Sequence, residues 1–402
     1  MTTGIRPASS GIWRRDMLIL YGATFLAYAN ISVFFQFVAY LGGLHIAPGW
    51  FGLIIGIFSA VSLIARPVVI PFIHSGNVRR FLGIGVFAAA ASLAAYSAST
   101  GLWSMIAVRI FHGLAFVVLG AALMTIIVEH IPRDSSAQAF GILAVFILIP
   151  NTVIPPMLPF LERRLGGFTH VLMLFALITA LVYPLVLMIH PKADTHHTSA
   201  VRNRLPLKDI VRNLKDIRIY SLLTAMLLLY CGHALVFFFL DGYGRSIGVH
   251  DTGFFLTLTS IGEIGIRLTA GNFFDRMNKV RLSIWTLMGL AAGYAALALV
   301  SSEIAFFTIG MVLGLGWGVA MPVFNSLIFD MSSPEFRAFN TNLGLQMFQG
   351  GFFIGPFLGA WTVQRWGFPP LFYLCAVMAI GAAVTVWGAG KASGRPERKS
   401  DS

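Results

Sequence analysis

The chain has 402 residues, 57% of them apolar and 11% charged, with a mean hydropathy of +0.80. So little polar surface cannot cover a water-soluble particle of this size, which excludes a soluble globular enzyme and makes lipid the expected solvent. The formal net charge of +12 would suit a nucleic-acid binder only if the cations formed one patch, and they are spread along the chain.

About 20 apolar residues cross the hydrocarbon layer of a bilayer, and inside it only helices or closed barrels satisfy their backbone groups. The apolar segments here are too long for barrel strands, so twelve helices are predicted. The first covers 17–41, begins beside Asp16, and carries Tyr21, Tyr28, Asn30 and Gln36. Arg14, Arg15 and the small residues Ala27 and Ala29 imitate a cleaved leader, but the apolar run continues to Leu41 and reads as a span. The second, 50–74, holds Arg66 and leads into a turn with His74, Arg79 and Arg80; the third is 81–99. The fourth, 102–130, contains Arg109, His112 and Gly113 and ends at Glu129. The fifth, 137–161, carries Pro155, Pro156 and Pro159, and the sixth is 168–190.

A polar stretch follows, and it marks 191–218 as a linker between a 1–190 unit and a 219–402 unit. Its segment from Pro206 to Ile219 has the spacing of a short amphipathic helix, with Leu207, Ile210, Val211 and Leu214 on the face expected to meet the anionic leaflet. His196 and His197 lie near Asp194, but nothing beside them completes a metal coordination set. The seventh helix, 219–240, holds Tyr230 and His233, with Asp241 expected in solvent just past its end. The eighth, 252–274, has Glu263 near its middle and Arg267 one turn later, so the two can pair. The ninth is 282–301. The tenth, 303–329, contains Trp317, Asn325 and the run from Gly314 to Gly318, which has neither a preceding strand nor a following Lys and reads as helix packing rather than a nucleotide loop. The eleventh, 338–363, carries Gln346 and Gln349, and the twelfth is 368–390. Cys231 and Cys375 both fall inside helices, which implies no disulfide framework.

Residues 52–67 recur in 253–268 at an offset of 201, pairing Gly52 with Gly253, Ser59 with Ser260 and Arg66 with Arg267. A repeat of half the chain, in a sequence this apolar, marks a transporter built from two parallel halves. If the N-terminus is cytoplasmic, most of the 28 Lys and Arg residues fall in cytoplasmic segments. Arg163, Arg164, Arg245 and Arg365 fall outside, and Arg66, Arg109 and Arg267 lie within helices. This positive-inside bias places both termini in the cytoplasm and explains the basic excess without nucleic acid.

Gly271, Asp275, Arg276, Lys279 and Arg281, in GNFFDRMNKVR, resemble the signature that joins the second and third helices of a half in the major facilitator superfamily. In the first half the same place has Ile70 for the glycine and His74 for the aspartate, while Arg79 and Arg80 remain. The resemblance covers nearly the whole chain and implies an all-α membrane protein of twelve transmembrane helices in two pseudo-symmetric bundles. It also implies a latch on the cytoplasmic side, with Glu129 as partner for Arg79 or Arg80, and Asp330 as partner for Arg276 or Arg281. Arg109, His112 and Gly113 resemble the Arg x x Gln Gly pattern of proton-coupled members. Gly351, Gly355, Pro356 and Gly359 resemble the exporters' Gly Pro x x Gly form, but on the eleventh helix rather than the fifth.

In this family helices one, four, seven and ten line a cavity, which makes Tyr21, Tyr28, Asn30, Gln36, Tyr230, His233, Trp317 and Asn325 the expected substrate contacts, joined by Gln346 and Gln349 of helix eleven. Aromatics mixed with sparse neutral polar groups suit a moderately apolar organic molecule. Helix one carries no acid at membrane depth, which disfavours polyspecific cation export. Glu263 is the expected proton-coupling carboxylate, with Arg267, Arg109 and His112 as its associates; a purely structural Glu263–Arg267 pair is the competing reading. The expected activity is alternating-access transport, as proton-coupled efflux by antiport or as uptake of a metabolite by symport, with a transport-inactive receptor or scaffold as a third reading. The expected energy source is the proton gradient, with no cofactor or metal. The partners are a small-molecule substrate and the lipid bilayer of the inner membrane, and a monomer suffices.

Overall fold

The computed structural model describes residues 13–44, 46–74, 76–131, 136–189 and 207–393; within these, nothing is said of the side chains of 136–138, 140, 141, 207, 270–276, 338 and 393. Twelve long helical segments form where the apolar runs predict them. They are α1 (Arg15–Gly42), α2 (Pro48–Phe72), α3 (Val78–Ala98), α4 (Leu102–His130), α5 (Ser136–Leu165) and α6 (Phe168–Leu187). After a short linker helix, Leu207–Leu214, come α7 (Ile217–Ser246), α8 (Gly253–Arg276), α9 (Lys279–Ala298), α10 (Glu303–Met331), α11 (Arg337–Trp366) and α12 (Phe368–Ser393).

Ten of the twelve are long and apolar enough to cross a bilayer. The other two are α8, whose side chains are described only over 253–269 and which carries Glu263 and Arg267, and α11, which carries Asn340, Asn342, Gln346 and Gln349. Polar residues at membrane depth are costly, so the segments that bear them are where function is to be sought.

Four prolines, Pro150, Pro155, Pro156 and Pro159, lie inside α5, and the helix runs through all of them. Each removes one backbone donor, which leaves the helix weakest along this stretch. In α1 the regular helix tightens to a 3-10 turn at Val33–Gln36, and α6 breaks at Leu181.

The chain divides into two compact units. The first contains residues 1–46 and 60–198; here α3 packs on α4 and α6, and α1 packs on α5, α6 and α4. The second contains 47–59 and 199–402; here α9 packs on α10 and α12, and α7 packs on α11, α12 and α10. Adding six to each helix number in the first set of pairs gives the second set. The duplication read from the sequence is therefore also a duplication of packing.

Small residues make the closest approaches, as expected where lipid offers no hydrophobic drive between helices. A Cβ on Gly351 would lie 2.6 Å from the Tyr230 backbone, and one on Gly355 3.0 Å from Ala234 Cβ, so α11 lies directly on α7. In α10, Gly314 meets the backbone of Thr259, and a Cβ on Gly318 would lie 2.9 Å from Glu263 Cα. The glycine run of α10 is a packing surface for α8. Cys231 and Cys375 are buried free thiols.

The linker helix departs from expectation. It stops at Leu214, and α7 starts at Ile217 behind the N-cap Asp216, whose carboxylate accepts from the Arg218 N–H. Of its apolar residues, Ile210 and Leu214 are half-buried and Val211 is exposed, while the side chain of Leu207 lies outside those described. The helix is held by a reciprocal amide pair, in which Asn213 donates to Asn340 Oδ1 at 2.7 Å and Asn340 donates to Asn213 Oδ1 at 3.1 Å. Asn340 is fully buried and also donates to Ser332 Oγ at 2.9 Å, so the linker helix is clasped to the start of α11. The linker histidines His196 and His197 lie outside the described residues.

Candidate functional site

Each unit contains a buried polar centre, built on α8 in the second and on α4 in the first. In the second unit, Glu263 and Arg267 face each other across one turn of α8 and form a direct ion pair. Glu263 is 2% exposed. Arg267 Nε also donates to the Gly318 carbonyl at 3.3 Å, and Nη2 lies 3.7 Å from Met321 Sδ. Only a glycine at 318 lets α10 come close enough for its backbone to take part. A carboxylate in this position must be paired or protonated, because an isolated charge in a low-dielectric interior is too costly.

One face of α7 adds Tyr230 and His233. The His233 ring lies 4.1 Å from that of Trp317, 5.7 Å from Phe352 and 6.5 Å from Phe348, while Tyr230 meets Phe348 edge-on at 5.3 Å. Trp317 is buried and donates its indole N–H to Tyr294 Oη at 2.8 Å. Tyr294 was not expected from the sequence; its signal was a lone tyrosine in an otherwise apolar helix. His233 Nδ1, Asn325 Oδ1 and Gln346 Oε1 are buried atoms with no hydrogen-bond partner among the described residues. Each belongs to a half-buried side chain, as does Gln349. Native interiors rarely leave such atoms unsatisfied, and a ligand or water is the usual explanation.

In the first unit the centre is built on α4. Arg109 is 3% exposed and His112 fully buried. The guanidinium sits 5.0 Å from the Phe34 ring and 4.9 Å from that of Phe37, both at the tightened end of α1, so cation–π contact replaces part of its lost hydration. Its Nη1 donates to Tyr96 Oη at 3.4 Å. His112 contacts Tyr96 Oη through Nδ1 at 3.3 Å and Asn30 Oδ1 through Nε2 at 2.6 Å. Asn30 donates to Thr179 Oγ1 at 3.1 Å.

The remaining cavity residues of α1 divide. Asn30 does not present itself to an open cavity as expected, because both ends of its amide are used inside the unit and it is fully buried. Tyr21 is likewise fully buried, stacked on Phe146 at 5.1 Å. Tyr28 is half-buried and meets Phe116 edge-on; Gln36 is buried in the 3-10 turn.

The expected latch is partly rearranged. Asp330 is taken by Lys279 at 2.7 Å, not by Arg281, because Lys279 opens α9 opposite the last turns of α10 and also donates to Ser326. Arg281 is exposed, and its backbone N–H is capped by Asn278. The side chains of Gly271, Asp275 and Arg276 lie outside those described. In the first half, Arg79 donates to the Ile189 carbonyl at 2.6 Å beyond the end of α6, Arg80 is exposed and Glu129 is half-buried. His74 is exposed and bound into its own turn, where Asn77 accepts from the His74 N–H and donates to the Phe72 carbonyl. Asp241 lies within α7 rather than in solvent beyond it. It is 3% exposed, held by Thr252 and by Arg245 at 3.1 Å, because α7 continues two turns past the expected end.

The sequence matches the Major Facilitator Superfamily over residues 17–343 and again over 242–401. It is 22% identical over 340 residues to a multi-drug resistance efflux pump PmrA homolog of Lactococcus lactis, covering 80% of this chain and 82% of that one. It is 23% identical over 398 residues to the multidrug resistance protein MdtG of Escherichia coli, covering 93% and 94%. Among solved structures, the nucleoside transporter NupG superposes with a TM-score of 0.74 at 15% identity, covering 95% of this chain and 100% of that one. A bacterial homolog of the human lysosomal transporter Spinster, inward-facing and occupied, gives 0.76 at 11% identity, covering 93% and 96%. An apolar chain folded into twelve long helices, with its packing repeated at an interval of six, a polar centre in each unit and this match over most of its length, belongs to the Major Facilitator Superfamily of membrane transporters.

Proposed function

We propose that this chain is a secondary active transporter that moves a small organic molecule across the inner membrane by alternating access, as a proton-coupled efflux antiporter. The observation that carries the reading is the Glu263–Arg267 pair, a carboxylate 2% exposed and paired with a cation inside α8. Adding a proton to Glu263 cancels the pair and leaves Arg267, among the described residues, in contact with the Gly318 carbonyl and Met321, so one proton alters how α8 is tied to α10. Substrate is bound by His233, Asn325 and Gln346, whose unpartnered polar atoms supply orientation, and by the rings of Trp317, Tyr230, Phe348 and Phe352, which supply contact area. Two bundles, 1–190 and 219–402, joined by the 191–218 linker, rock to open the site to either side, with both termini in the cytoplasm. The proton gradient is the energy source, no cofactor takes part, and a monomer suffices. The names of the multidrug relatives support the outward direction.

The test uses purified protein in proteoliposomes with an imposed pH gradient, with chloramphenicol and uridine as neutral probes. Glu263→Gln is expected to abolish gradient-driven accumulation while facilitated exchange persists. A Glu263→Gln protein that still accumulates either probe at the normal rate would sink the coupling role. Uptake by symport is the second reading, favoured by α5, which has prolines where exporters carry the glycine form. Counterflow in inside-out vesicles separates the two directions.

A further inference from the structure

The groups around His112 have a direction that one hydroxyl fixes. Thr179 Oγ1 donates its only proton to the Phe175 carbonyl at 2.8 Å. It can then only accept from Asn30, whose Nδ2 lies 3.1 Å away. That sets the amide with Oδ1 toward His112, at 2.6 Å from Nε2. An acceptor opposite Nε2 requires the ring proton there. Nδ1 is left bare to accept from Tyr96 O–H at 3.3 Å, and the Tyr96 oxygen is left to accept from Arg109 at 3.4 Å. Donors thus follow one order from Arg109 through Tyr96, His112, Asn30 and Thr179 to a backbone carbonyl of α6. Tyr96, His112, Asn30 and Thr179 have no measurable solvent exposure, so water cannot relay or reverse the order. Arg109 and Tyr96 are charged and titratable groups near His112, which also meets the Asn30 amide and the Phe34 ring.

We propose that Asn30 and Thr179 are positioning residues: they hold His112 in its Nε2–H tautomer and, through Tyr96, aim the Arg109 guanidinium into its seat between Phe34 and Phe37. The chain joins α1, α3, α4 and α6, so a change at α6 reaches the buried cation of α4 through four side chains. This rests on Arg109 serving transport, as the proposed function has it; the tautomer is a separate observable.

Histidine-15N-labelled protein in detergent, at about pH 8 where imidazole is ordinarily neutral, gives two-bond ring correlations that distinguish the tautomers. His112→Gln identifies the signal by removing it. The wild type and Thr179→Ser, which keeps the hydroxyl, are expected to show Nε2–H. Thr179→Val and Asn30→Leu are expected to shift the signal toward Nδ1–H or an average of the two. An Nδ1–H wild type, or an unchanged Nε2–H signal in both variants, overturns the proposal; the nearly isosteric Thr179→Val carries the test if Asn30→Leu does not fold. In chloramphenicol efflux, Thr179→Val should lower the rate about fivefold, the weight of one buried hydrogen bond, with Thr179→Ser within about twofold of normal. Absence of any flux in the wild type would count against the proposed function and leave the tautomer result intact.

Discussion

Asp216 shows what a single side chain contributes where the linker becomes membrane helix. Burial pushes its carboxyl up, but hydrogen bonds from the Arg218 side chain and backbone, with the Arg218 charge, outweigh that and hold it below its ordinary value. A depressed carboxylate contributes stability that is complete above the unfolded value near about 4 and is lost as pH falls through the lower folded one. Asp216→Ala should therefore cost about 1 kcal/mol at pH 7, the weight of an N-cap, and the gap to the wild type should close in strong acid. Thermal unfolding in detergent at both pH values checks this, and a gap that widens in acid would refute it. The Glu263–Arg267 pair was legible in the sequence because its partners are one helical turn apart, a distance the helix itself fixes. Asn30 was misread as a cavity residue because its partners, His112 and Thr179, are 82 and 149 residues away in sequence.

Most helices were readable to within a few residues. The seventh continues to Ser246 and takes in Asp241, where Thr252 donates to one carboxylate oxygen and Arg245 pairs with the other, a site that apolar patterning alone places in solvent. The linker helix forms as its pattern predicts but is also tied to the start of α11 by the Asn213–Asn340 pair, which its amphipathic spacing did not encode. Glycines decide the closest helix pairs. Gly318→Ala would place a methyl 2.9 Å from Glu263 Cα and 2.8 Å from its carbonyl oxygen. Overpacking of this kind costs about 1–3 kcal/mol, so the melting temperature should fall and the Arg267 contact to α10 should loosen. Gly289→Ala, in α9 where nothing lies within 4 Å, should be neutral or gain up to about 1 kcal/mol from helix propensity. Equal effects at the two positions would mean that packing at Gly318 is not the cause.

At the scale of the molecule, the offset of 201 residues and the six-helix interval in the packing describe one duplication at two levels. Charge placement adds orientation, because cations resist transfer across a bilayer and stay where the chain is made. A green fluorescent protein fused after Ser402 should fluoresce and an alkaline phosphatase fused there should be inactive. The reverse pattern would place the C-terminus outside and undo the topological reading of the basic excess.

Composition and periodicity by themselves determined the membrane setting, the number and place of the helices and the repeat, because each follows from apolar length and from spacing along one chain. The tertiary structure alone decided which polar side chains meet: Lys279 with Asp330, Asn213 with Asn340, His112 with Asn30. Pairings between helices depend on the rotation and depth of two separate elements, and no spacing along a sequence encodes these.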